Sequence, residues 1–202
     1  MKRTSAVIPM SDSSKAISRE DVSPTVLPDA FLGSDIARSA GAFTMPRYAA
    51  LPAMPLYRDQ VITYIEQVFS PLPACTEGPW ITGPMINNYV KTGLLPAPVK
   101  KQYGREQVAR LIIICTFKQF LPIAAIQRLF AIQRVTYPVD IAFDYVAVEL
   151  EHALRSVFET QAPYRDSAHQ VTRESLLVRS AVAAFAAKAY LLSYLDFTGF
   201  ES

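Results

Sequence analysis

Asn87, Asn88 and Lys91 lie in the stretch MINNYVKTGLLPAPVKKQYGRE, residues 85–106, and their side-chain types suit one kind of chemistry. An asparagine amide donates and accepts in one plane, which matches the N6 and N7 edge of adenine, whereas a lysine ammonium neutralises a phosphate without reading a base. Lys100, Lys101 and Arg105 follow shortly after, and a loop carrying such cations would hold a polyanion by charge. Tyr103 stands among them and would either pack that loop down or touch the bound backbone.

The remainder of the chain shows no catalytic constellation. No Ser-His-Asp, Cys-His or paired-carboxylate arrangement with supporting spacing is present, so an enzyme is not expected. Cys75 and Cys115 are far apart in sequence and form neither a disulfide framework nor a metal site. Cys115 lies among isoleucines and reads as a small buried hydrophobe, Cys75 as an exposed thiol, and His152 and His169 as structural or solvated side chains. Glu149 and His152, three residues apart, read as a surface pair on a helix. No metal and no cofactor is expected.

The elements that would position the candidate residues follow from periodicity. LYRDQVITYIEQVF puts Val61, Ile62, Ile65, Val68 and Phe69 on one stripe of an amphipathic helix, which the prolines of SPLPACTEGP then end. TGPMINNYVKTG is the next helix. Thr82 caps it, Pro84 sits in the first turn where its missing N–H is harmless, and Gly93 supplies the left-handed residue that stops it. On this helix Ile86, Tyr89 and Val90 share one face, while Pro84, Asn87, Asn88 and Lys91 share the other at i, i+3, i+4, i+7. Leu94 and Leu95 return to the core, and PAPVKKQY predicts a short wing or extended loop. REQVARLIIICTFKQFL is apolar on nearly every side and predicts the central helix of the core.

PIAAIQRLF predicts a short helix with Ile123, Ile126, Leu129 and Phe130 inward. Two longer helices follow, over about 139–158 and 171–195. Phe143, Ala147, Leu150, Leu154 and Val157 in the first, and Val178, Val182, Phe185, Ala189 and Leu192 in the second, repeat at four-three spacing. Such faces suit a helical hairpin or a dimerisation surface.

The formal charge of +2 conceals an asymmetry. Residues 45–134 hold ten basic and four acidic side chains, whereas residues 135–202 hold five and nine. A basic middle suits a polyanion. The chain therefore divides, on this reading, into a largely disordered N-terminal arm at 1–44, with a short weak helix in LPDAFLGSDIARSAGA, a basic module at 45–134, and a helical dimerisation or sensing region at 135–202. No continuous apolar block reads as a signal peptide or a membrane span, since Arg179 and Lys188 interrupt the C-terminal apolar run, so a cytoplasmic location is expected.

The order of helix, short polar-faced helix, Gly-Leu-Leu turn, lysine-bearing loop and long apolar helix resembles the MerR-type winged helix-turn-helix. Tyr89, Gly93, Leu94 and Leu95 match its Y-x-x-x-G-L-L element, and Tyr103 to Glu106 resembles the start of its next helix. Over roughly residues 51–130, PLYxDQV and MINNYVKxGLLPxPxKKxYxRE resemble the signatures of a bacterial family catalogued as a domain of unknown function and regarded as MerR-like transcriptional regulators.

The resemblance implies an all-α protein, a winged module followed by a C-terminal helical hairpin, which regulates transcription as a homodimer on double-stranded DNA. Asn87, Asn88 and Lys91 would be the helix contacts, and Lys100, Lys101, Tyr103 and Arg105 the wing or phosphate contacts. A small-molecule or protein effector would act through the C-terminal region. The competing expectation, drawn from the same polar strip, is an all-helical interaction module that binds an acidic protein partner.

Overall fold

A computed structural model describes residues 29–72, 78–160, 167 and 170–198. The expectations for the first 25 or so residues, for Cys75 and for His169 lie outside the described residues. The chain divides into Met1–Ala30 and Phe31–Ser202, and all that follows concerns the second unit.

The unit is predominantly helical, with one small sheet. Helix α1 (Asp35–Gly41) leads through a 3-10 turn at Tyr48–Ala50 into strand β1 (Leu56–Tyr57) and helix α2 (Arg58–Phe69). Helix α3 (Gly83–Lys91), strand β2 (Gln102–Tyr103) and helix α4 (Arg105–Phe117) come next. Helices α5 (Ile123–Thr136), α6 (Val139–Arg155) and α7 (Arg173–Thr198) complete the order, with a π-helical turn at Ser156–Thr160 following α6. Strands β1 and β2 pair antiparallel, with Leu56 opposite Tyr103 and Tyr57 opposite Gln102.

Helix α4 is the centre, as its composition predicts: every residue from Leu111 to Phe117 is buried. Cys115 is fully enclosed, and burial pushes its thiol up to about 12, so it packs as an inert small side chain. Around α4 the amphipathic helices turn their apolar stripes inward, Val61, Ile65 and Phe69 from α2 among them. The four-three faces of α6 and α7 meet each other. Phe143, Ala147, Leu150 and Leu154 are buried on one side of that contact, and Val182, Phe185 and Ala189 on the other. Of the two uses open to these faces, the structure shows the intramolecular hairpin.

Helix α7 is, among the described helices, the one long and apolar enough to cross a membrane by length and composition. One face of it packs against the protein core, through Val182, Phe185 and Ala189, and Lys188 donates 2.7 Å to the Gln119 carbonyl beyond the end of α4.

Four local expectations are corrected. The compact unit begins at Phe31, so the ordered body begins well before residue 45. Phe31 packs edge-on against Tyr190 and Tyr194 of α7, a long-range aromatic contact that local periodicity cannot show. The division at residue 134 separates no compact units, because α6 is built into the same body as the segment before β1. Helix α5 runs to Thr136 rather than ending near Phe130. Nothing in AIQRVT breaks a helix, and Pro138 forces Tyr137 into extended backbone. Of its inward set only Ile126 is fully buried, with Ile123, Leu129 and Phe130 half-buried. Finally, Glu149 is not at the surface. It is wholly buried, accepts from the Ser167 N–H at 3.1 Å and from the Ser167 hydroxyl, and has His152 Nδ1 at 4.0 Å.

The segment before β1 is fastened to α6 by charge. Arg47 makes a bidentate pair with Glu151 at 2.7 and 2.8 Å, the Met45 N–H donates to the same carboxylate at 2.9 Å, and the Tyr48 N–H donates to Asp144 at 2.6 Å. Burial pushes the Glu151 carboxyl up, but the Arg47 and Met45 hydrogen bonds outweigh it and hold the group below its ordinary value.

Arg47→Met is expected to lower stability by about 2 kcal/mol at neutral pH, less than the ~3 kcal/mol usual for orphaning a buried charge because Arg47 is itself partly solvated. A carboxylate with a depressed folded pKa contributes fully above its ordinary value of 4.5 and loses that contribution as pH falls through the lower folded value. Urea denaturation of both proteins at pH 7 and pH 3 should therefore show the difference shrinking in acid.

Candidate nucleic-acid interface

Helix α3 presents the strip that its spacing predicts. Pro84, Asn87, Asn88 and Lys91 are all exposed, while Ile86 and Tyr89 are buried beneath them. The helix is held at both ends. At its start the Thr82 hydroxyl accepts from the Met85 N–H at 3.3 Å. The approach to that cap is pinned from two sides, because Glu66 of α2 accepts from the Ile81 N–H at 3.2 Å and Lys118 donates to the Trp80 carbonyl at 2.5 Å. Trp80 in turn stacks on Phe69 with ring centroids 4.2 Å apart. At the far end Gln127 of α5 donates to the Thr92 carbonyl at 3.0 Å, and Gly93 takes the left-handed conformation, φ 71°, that turns Leu94 and Leu95 inward. Helices α2 and α5, with Lys118 just past α4, thus fix a short helix whose outer face makes no packing contribution.

The wing is a hairpin with two lysines at its tip. Val99 and Gln102 exchange both backbone hydrogen bonds, 3.0 and 2.9 Å, leaving Lys100 and Lys101 as the two central residues. Both have positive φ, 49° and 64°, the pattern of the primed turns that usually take Asn-Gly. Lysine is strained there, and both side chains are exposed. Gln107 closes the base: its amide donates to the Pro96 and Ala97 carbonyls at 2.9 and 3.0 Å, and its oxygen accepts from the Gly104 N–H at 2.7 Å. Gly104 has no side chain to cap α4, and Gln107 supplies the reciprocal half of that cap.

Replacing the tip by the sequence its backbone prefers, Lys100→Asn with Lys101→Gly, is expected to raise stability by about 1 kcal/mol through relief of left-handed strain. If the tip serves phosphate, nucleic-acid affinity should fall in the same variant. Thermal melting and a binding titration on one preparation check both directions.

Two of the predicted contacts occupy other surroundings. Tyr103 is buried, its phenol raised by burial, so of its two possible roles it performs the packing one, on the β1–β2 pair. Arg105 is half-buried, with its guanidinium 5.8 Å from the centre of the Tyr48 ring, so the structure places it against the segment before β1.

Arg58 is a residue the sequence reading passed over. It is exposed at the first position of α2, and its guanidinium lies against Gly83, where a Cβ would come within 3.3 Å of Nε. Its chain neighbour Tyr57 pairs with Gln102 of β2, so Arg58 stands beside both the start of α3 and the wing strand, and Asp59 Oδ1 lies 3.4 Å from its Nε. A signal was present: a cation in the first turn of a helix opposes the helix dipole, which makes it an unusual choice for stability alone.

Residues 46–145 match the family model described as a domain of unknown function (DUF1836), a span that takes in the strip, the wing, α4, α5 and the start of α6. No curated protein matches the chain, and no solved structure does.

Proposed function

We propose that the chain is a sequence-specific DNA-binding transcriptional regulator of the MerR-like winged helix-turn-helix kind, acting in the bacterial cytoplasm. The observation that carries this reading is the pairing of a solvent-facing Asn-Asn-Lys strip, on a helix fastened at both ends, with a strained two-lysine hairpin tip. Fixed donors and acceptors on a helix suit the major groove, and cations on a projecting turn suit phosphates. Asn87, Asn88 and Lys91 read or steady the groove contact. Lys100 and Lys101 neutralise the backbone, with Arg58 a further phosphate contact. Arg105 contributes mainly by holding the wing's base against Tyr48.

Homodimerisation belongs to the same proposal. The four-three faces are consumed within the α6–α7 hairpin, so the surface for a second copy would be drawn from exposed apolar side chains such as Leu191 and Leu195 on α7. A DNA regulator of this design binds two half-sites about one helical turn, or a multiple of it, apart. Gel shifts on DNA from upstream of its own gene, run across a salt series, test the reading. Binding that weakens steeply with salt supports it. Salt-insensitive or absent binding, with capture of an acidic protein instead, contradicts it.

A further inference from the structure

A cavity of about 240 Å³ opens between α4, α5, α6 and the start of α7. Ile113 and Phe117 of α4, Leu129 of α5, Val146 of α6 and Val178 of α7 line it. Gln133, Thr136 and Tyr137 are among the polar side chains that join them, but most of the lining surface is apolar, so a ligand gains chiefly from the removal of apolar surface from water. The charged groups at its edge are already engaged or opposed. Arg110 pairs with Glu106 at 3.1 Å and lies 5.2 Å from the centre of the Phe130 ring, and Glu174 brings a carboxylate of the opposite sign. The site therefore offers no net charge to recruit an ion.

Its size limits the occupant further. The volume of about 240 Å³ lies just under the ~300 to 1,000 Å³ of pockets for drug-sized ligands, which suits a compound of one to three rings.

We infer that this cavity is a binding site for an uncharged, hydrophobic small molecule with an aromatic or alicyclic body. The inference stands whether or not the chain binds DNA. Its position gives the site a means of being sensed, since α4 lines the cavity from Ala109 to Phe117 and carries Gln107 and Arg105 at its start.

Titrating the full chain with N-phenyl-1-naphthylamine, a neutral probe that brightens in apolar surroundings, tests the assignment. Saturable enhancement at one probe per chain is expected. Ala142→Trp, which fills the cavity from α6, and Ile132→Glu, which sets a carboxylate at its edge on α5, should each weaken binding at least tenfold while circular dichroism stays unchanged. Met54→Ser, which removes an exposed apolar side chain outside the cavity, should leave it unaltered. The anionic probe 8-anilinonaphthalene-1-sulfonate should bind at least tenfold more weakly than the neutral one. No saturable enhancement in the parent protein would overturn the inference, as would equal binding by the two folded cavity variants or loss of binding in Met54→Ser. Equal or tighter binding of the anionic probe would overturn the neutral class. Conversion of a dimer to a monomer by Ala142→Trp, without probe binding in the parent, would assign the cavity to a subunit contact instead.

Discussion

The Lys100→Ala, Lys101→Ala double variant is expected to bind every DNA sequence about a hundredfold more weakly than the parent at moderate salt, with no change in which sequence is preferred. The magnitude follows from two charge-assisted contacts of about 1.5 kcal/mol each. The reason for uniformity is that phosphates carry no base information. The slope of log affinity against log salt should fall by about 1.8, at roughly 0.9 per phosphate neutralised. Both lysines are exposed at a turn whose backbone disfavours them, so their removal leaves the fold intact and gives the binding measurement a clear meaning. An unchanged slope in a folded variant would remove the wing from the interface.

Ile86→Ala is expected to act on folding. Ile86 has no exposed surface and lies on the inner side of α3, directly behind Asn87 in sequence. Truncation removes three buried carbons and leaves a cavity, so stability should fall by about 2 to 5 kcal/mol in chemical denaturation. The surviving folded fraction should keep the parent's base preference, because the exposed strip retains its side chains. A shift in preference would mean that the inner face of α3, and not the strip, controls recognition.

These two residues also mark what the sequence made legible. The strip at Pro84, Asn87, Asn88 and Lys91 was readable because a 3.6-residue repeat separates inner from outer positions within a single helix. The central place of α4 was readable for a similar reason, since a helix apolar on all sides has to be surrounded. What escaped depends on contacts distant in sequence. Phe31 lies in a stretch broken by Pro28 and Gly33, where local periodicity assigns no inner face, and its burial is decided by tyrosines more than 150 residues away. Glu149 carries a charge that places it outside by type, yet it is enclosed with its hydrogen bonds supplied from Ser167. The four-three faces of α6 and α7 were visible, but spacing does not distinguish a partner in the same chain from one in another. The left-handed turn at Lys100 and Lys101 had no turn signature either, because the pairing of Val99 with Gln102 imposes it.

Arg58 illustrates the same limit at the interface. Its place at the head of α2 was plain from the sequence, but its approach to Gly83 arises only when α2 and α3 pack. The candidate interface legible in the sequence is therefore a helix face and a loop, whereas the fold sets Arg58 beside both and turns Tyr103 and Arg105 toward the protein body.

The central claim is that the outer face of α3 reads bases, and selection from a randomised duplex DNA library tests it most directly. The parent protein, Asn87→Ala and Asn88→Ala would each be allowed to enrich their preferred sequences under identical salt. The proposal expects the parent to select a defined site and Asn87→Ala to lose preference at one base pair of it. That loss should cost about 1 to 3 kcal/mol at the parent's site, the worth of one bidentate base contact. Non-specific affinity should hardly move, since it comes from phosphates. Enriched profiles identical among all three proteins would contradict the claim, and would make α3 a structural corner rather than a reader of DNA.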